Sequence, residues 1–196
     1  MRVSEVLAKE ASRLNREAGA PNAPALYFLT DPSRTPDPVA IARRLPRGAC
    51  VIYRHFGAAN RARVARALLR VCRARGLMLL IAADPWLARR IGADGVHWPE
   101  RRYRPTRASV GFTSVAAHTL RGVQRASDAD ACLLSPVFAS ASASAKRTLG
   151  LARAERLARA SAAPAIALGG IGAHNAARLR GRGFSGLACV EALAKA

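Results

Sequence analysis

Short apolar runs alternate along the chain with amphipathic segments. The runs cover residues 26–30, 50–54, 78–83, 95–98, 109–113, 131–135, 165–169 and 187–190. Each is rich in Val, Ile, Leu or Ala and shows little polar alternation. Such runs predict strands buried on both faces, the mark of a parallel sheet. Helix-like segments lie between them, at 39–45, 59–75, 86–91, 115–126, 151–161 and 175–182. In 59–75, Val64, Leu68, Val71 and Cys72 form an apolar stripe, while Arg66, Arg70 and Arg73 line another face. A short closing helix is expected from Glu191. Residues 3–18 form a further amphipathic segment, with Val3, Val6, Leu7 and Leu14 on one side, and a turn-rich stretch holding Pro21 and Pro24 follows.

Eight strands alternating with helices predict an α/β chain of one domain, a (β/α)8 TIM barrel over 25–196, with an extra N-terminal helix and linker over 1–24. A doubly wound sheet is the alternative, but no glycine-rich dinucleotide fingerprint follows the first strand. In a barrel, chemistry gathers at the C-terminal ends of the strands. Those ends read Asp31, Arg54 and His55, Asp84, His97 and Trp98, Thr113, Ser135, Gly169 and Gly170, then Glu191. The set is polar and convergent, unlike a core.

Charge changes this picture by adding an anion. The chain carries 32 Lys and Arg against 12 Asp and Glu, a formal net charge of +20. The basic residues run along the whole chain, as solvated helix faces would place them. An anionic small-molecule substrate is the sharper reading. A basic nucleic-acid-associated protein is a further alternative, and it requires one continuous arginine patch. The four cysteines match no zinc spacing and read as reduced buried thiols of a cytoplasmic protein. No run is long enough to span a membrane, and a homo-oligomer is left open.

Four segments together carry a resemblance: Leu26-Tyr27-Phe28-Leu29-Thr30-Asp31, Ala93-Asp94-Gly95-Val96-His97, Ser135-Pro136-Val137-Phe138 with Leu149-Gly150 beyond, and Ala167-Leu168-Gly169-Gly170-Ile171 with Asn175. From about residue 25 onward their order resembles the thiamine phosphate synthase and TenI-like superfamily. The resemblance implies a TIM barrel that joins pyrimidine pyrophosphate to thiazole phosphate with loss of diphosphate. The alternatives it allows are a TenI-like thiazole tautomerase and a non-joining barrel that binds a thiazole- or pyrimidine-like ligand. It implies Mg2+ as cofactor, with Asp84 and Glu100 as the carboxylates available to it. It places Arg54 and Thr113 at positions that face the pyrophosphate, Asp31, Ser135, Gly169 and Gly170 in the shared segments that contact substrate, and Glu191 at a phosphate-contacting position. Read from the residues themselves, His118 near the barrel mouth is a further candidate for chemistry as an acid–base, and His97, Trp98, as a stacking face, and Lys146, beyond the sixth strand, are further candidates for substrate contact.

This sequence also departs from the superfamily. Its second strand carries Ile52 and Phe56 beside Arg54, where the superfamily shows Gln and Lys. Ala82-Ala83-Asp84-Pro85 stands for Asn-Asp-Arg, Trp98-Pro99-Glu100 for Gly-Gln-acidic, and Glu191 for a Ser that helps hold phosphate. Pro136 takes the place of the tautomerase branch's His. A carboxylate at position 191 is expected to favour a non-phosphorylated or cationic ligand. Residues 139–145, an Ala/Ser alternation, read as a loop after the sixth strand.

Overall fold

The computed structural model describes residues 2–103, 111–140 and 148–194. Its eight strands are β1 (Leu26–Leu29), β2 (Cys50–Tyr53), β3 (Met78–Ala82), β4 (Gly95–Trp98), β5 (Phe112–Ala117), β6 (Ala131–Leu134), β7 (Ala165–Leu168) and β8 (Gly186–Cys189). All neighbours pair in parallel, and β1 pairs with β8, so the sheet closes into a barrel in sequence order. The helices are α1 (Val3–Glu17), α2 (Pro38–Ala42), α3 (Arg61–Arg75), α4 (Pro85–Ile91), α5 (Leu120–Arg125), α6 (Leu151–Arg159) and α7 (Glu191–Ala194). The segment expected as a helix at 175–182 contains a single 3-10 turn, Ala176–Leu179.

Two apolar layers follow from the strand pleat. One set of alternate residues fills the barrel, with Tyr27, Leu29, Cys50, Ile52, Leu80, Leu133, Ile166 and Ala188 in mutual contact and buried. The other set faces the helices. There Phe28, Val51, Leu79, Val96, Val115, Cys132 and Leu187 pack against Leu7, Leu14, Leu68 and Leu157. Helix α1 lies in this outer layer through Leu7, Ala11 and Leu14. Its Glu10 receives a two-pronged hydrogen bond from Arg180, at 2.6 and 2.5 Å.

The fifth strand corrects the reading of 109–113. It begins at Phe112 and runs to Ala117, and the helix after it starts at Leu120 rather than within 115–117. Gly111 turns the chain into the strand at φ 61°, where a Cβ would stand 2.2 Å from the Asp94 carbonyl oxygen. Thr119 then caps α5, its Oγ1 accepting from the Gly122 N–H at 3.0 Å.

Exposed arginines stand on α1, α3, α4, α5 and α6, around the barrel wall. Among the described residues no helix is long and apolar enough to cross a membrane. All four cysteines are buried free thiols.

Candidate active site

A cavity of about 910 Å3 opens at the C-terminal ends of the strands. A groove of about 730 Å3 lies at the opposite end, against residues 18–23 and the start of β7, away from the convergent polar residues. The mouth cavity is therefore the candidate site.

One wall is the turn after β7. Gly169 and Gly170 adopt φ 99° and 63°, and a Cβ on Gly170 would meet the Ala139 carbonyl oxygen at 2.2 Å. Only glycine lets this turn pack so closely on the β6 loop. Asn175 braces it, accepting from the Gly172 N–H at 2.9 Å and donating to the Gly170 carbonyl at 2.8 Å. Among the described residues none accepts the N–H of Gly170 or Ile171.

Arginines form a second part of the lining. Arg54, at the end of β2, donates from Nε to the Thr30 carbonyl at 2.9 Å, and its Nη2 lies 3.9 Å from Asp31. Burial lowers its pKa, although Asp31 opposes the shift. Arg34, from the loop after β1, also lines the cavity and donates to Asp31 at 2.8 Å. That contact, with two backbone N–H donors, holds the Asp31 carboxyl at about 2. Arg34 reaches Glu191, on the wall beyond β8, at 3.4 Å.

His97 and His118 complete the lining. His97 is 5% exposed, with Nδ1 2.9 Å from the Ser114 hydroxyl. Burial pushes its pKa down to about 3, with Arg54 adding to the shift, so the ring is neutral at pH 7. His118 Nδ1 lies 2.6 Å from the Ser135 carbonyl oxygen. A carbonyl only accepts, so Nδ1 carries the proton, and in the neutral ring Nε2 keeps its lone pair. Phe56 lies 57% exposed on the rim.

Residues 26–193 match the family model described as thiamine monophosphate synthase. The chain belongs to the thiamine monophosphate synthase family. It is 29% identical to the thiamine-phosphate synthase of Bacillus velezensis over 88% of this chain and 84% of that one. Identity to the enzyme of Laribacter hongkongensis is 35%, over 67% of this chain and 66% of that one. The thiamine phosphate pyrophosphorylase of Pyrococcus furiosus has the same fold, with a TM-score of 0.74 at 22% identity, over 87% of this chain and 90% of that chain.

Within that family frame the structure gathers Arg54, His97, His118, Ser135, Gly169, Gly170 and Glu191 around one cavity. Asp31 stands behind the two arginines rather than on the wall. Several residues lie elsewhere. Thr113 is buried near the start of β5, at the far end of the barrel, where its N–H donates to Asp130 at 2.7 Å. Trp98 falls on the outward-facing set of β4 and packs into the helix layer. Lys146 and residues 141–145 of the predicted loop lie outside the described residues.

The two carboxylates considered for magnesium are engaged by their neighbours, Asp84 as a helix cap and Glu100 by the segment that leads into α5. Ala83 turns the chain out of β3 at φ 54°. Asp84 then caps α4, accepting from the Leu87 N–H at 2.9 Å, and lies 3.7 Å from Arg61. A turn begun at Pro99 carries Glu100 over the start of α5. There it accepts from the His118 N–H at 3.1 Å and the Thr119 hydroxyl at 2.8 Å. Neither lines the cavity, and among the described residues no three His, Cys, Asp or Glu side chains form a metal-holding group. Asp84 and Glu100 therefore do not fit a protein-held magnesium ion.

The strand-end residues read from the sequence include neither Arg34 nor His174, which also line the cavity. His174 is exposed at the cavity rim. Arg34 follows Asp31 by three residues, a spacing that lets one loop close on itself through an ion pair.

Proposed function

We propose that the protein is a transferase of thiamine phosphate synthase type. It joins a pyrimidine carried as its pyrophosphate to a thiazole phosphate and releases diphosphate. The observation that carries this reading is one cavity lined by two kinds of anion donor. The N–H groups of Gly170 and Ile171 suit a phosphate monoester, and the Arg54 guanidinium suits the diphosphate. The relatives named thiamine-phosphate synthase support it.

In this reading the C–O bond to diphosphate breaks, its electron pair leaving with the diphosphate. The thiazole nitrogen supplies the pair for the new C–N bond. Arg54 stabilises the charge on the departing group as it develops. Neutral His97 can donate or accept a hydrogen bond to a heterocycle without placing a cation beside it. Phe56 offers a face on which an aromatic ring can stack. No step is assigned to a protein-held magnesium.

The test is an assay of the purified protein with both phosphorylated precursors, with magnesium in excess and with chelator. Thiamine phosphate formed by wild type and lost on Arg54→Ala is the expected result. A folded wild type that forms none overturns the reading. A second reading, a barrel that binds a thiazole-like ligand without joining it, is favoured by the structural hydrogen bonds that engage Asp84 and Glu100. It predicts saturable binding of thiazole phosphate with no product.

A further inference from the structure

We propose that Arg34 receives the phosphate monoester of the ligand, and that Glu191 holds this guanidinium when no ligand is present. The proposal deepens the synthase reading and rests on it only for the choice of a phosphate monoester.

Arg34 is held asymmetrically. Nη2 donates to Asp31 Oδ2 at 2.8 Å. Asp31 Oδ1 accepts the backbone N–H groups of Ser33 and Arg34, both at 3.1 Å. The loop therefore fixes the carboxylate, and the carboxylate fixes one edge of the guanidinium. The other edge, through Nη1, meets Glu191 Oε1 at the longer distance of 3.4 Å. The Arg34 side chain is 22% exposed and that of Glu191 37%, and both line the mouth cavity.

A phosphate dianion offers more acceptor oxygens and more charge than one carboxylate, and it accepts from a guanidinium fork. It can displace Glu191 from Nη1 while Asp31 keeps Nη2 in place. The N–H groups of Gly170 and Ile171, on the wall shared with Glu191, supply further donors to the same ligand. Glu191 thus competes with phosphate for Arg34. An ion pair that serves only the fold would show no such competition.

The test titrates inorganic phosphate into the full chain by calorimetry. Wild type is compared with Glu191→Gln, Arg34→Gln and Arg34→Lys, and thermal melts confirm folding. Losing a charge-assisted hydrogen bond corresponds to about tenfold or more in affinity. Arg34→Gln is expected to weaken binding by that factor, with Arg34→Lys intermediate because a point charge lacks the fork. Glu191→Gln is expected to tighten binding severalfold. Arg34→Gln binding like wild type, Glu191→Gln failing to tighten binding, or no saturable binding by wild type each overturns the proposal.

The titration needs no turnover, so it stands or falls apart from the synthase assay. Where turnover is measurable, Arg34→Gln is expected to raise KM for the thiazole phosphate and leave that for the pyrimidine pyrophosphate unchanged. A shift confined to the pyrophosphate overturns the monoester assignment.

Discussion

His97 sits at the floor of the mouth as a neutral ring, and lowering the pH tests that state. Its pKa is about 3 in the folded chain against 6.5 for an ordinary histidine. Burial disfavours the charged form, and Arg54 adds to the effect. As pH falls below 6.5, the unfolded chain takes up a proton that the folded chain refuses. Stability from this group is complete above the unfolded value and is lost as pH drops toward the folded one. Each pH unit inside that window costs about 1.4 kcal/mol. From neutrality to pH about 5 the loss is therefore about 2 kcal/mol. Urea unfolding of wild type and His97→Gln at pH about 7, 6 and 5 measures it. Stability of the wild type should fall more steeply by that amount. His55, whose pKa burial also lowers, contributes the same slope to both proteins and cancels. Above pH 5 the depressed carboxylates, such as Asp31 at about 2, are ionised in both states and add nothing. Parallel slopes would refute the reasoning, because they would mean that the folded protein protonates His97 as readily as the unfolded chain does.

Three further predictions test the frame around the cavity. Glu100→Gln weakens two hydrogen bonds to the segment that starts α5 and should cost about 1–2 kcal/mol of stability. If Glu100 does not hold magnesium, this variant also leaves the magnesium dependence of any activity unchanged, as the same assay over a magnesium titration shows. Leu133→Ala opens a cavity in the filled barrel interior and should cost about 2–5 kcal/mol by urea unfolding. Gly170→Ala forces a Cβ to within 2.2 Å of the Ala139 carbonyl oxygen at a left-handed φ. It should shift the turn and weaken inorganic phosphate binding by about tenfold or more.

The barrel was legible because strands buried on both faces leave continuous apolar runs, and seven of the eight runs fall on their strands to within about one residue. The fifth was not, for a local reason. Val115-Ala116-Ala117 suits a helix as well as a strand, and periodicity cannot decide between them over so few residues. Thr119, three residues before Gly122, was the available start signal for the helix. Moving the strand toward the C-terminus places Thr113 at the bottom of the barrel and leaves His118 at the mouth.

The strand-end residues were legible once the alternation was known, since the fold alone brings Arg54, His97, Ser135, Gly169 and Gly170 together. The roles of the carboxylates were not, because a sequence lists acids without their partners. Glu100 finds its partners at His118 and Thr119, across a barrel strand. Asp31 is taken by Arg34, within its own loop. Placing those partners alters the electrostatic argument that composition suggests. Despite a net charge of +20 over the whole chain, Arg34 and Arg54 at the mouth are balanced by Asp31 and Glu191. The exposed arginines of the helices face water, which screens their charge. A phosphate therefore gains little from the overall field. It must win through geometry, by taking the loosely held edge of Arg34 from Glu191 and meeting the open N–H groups of the glycine turn.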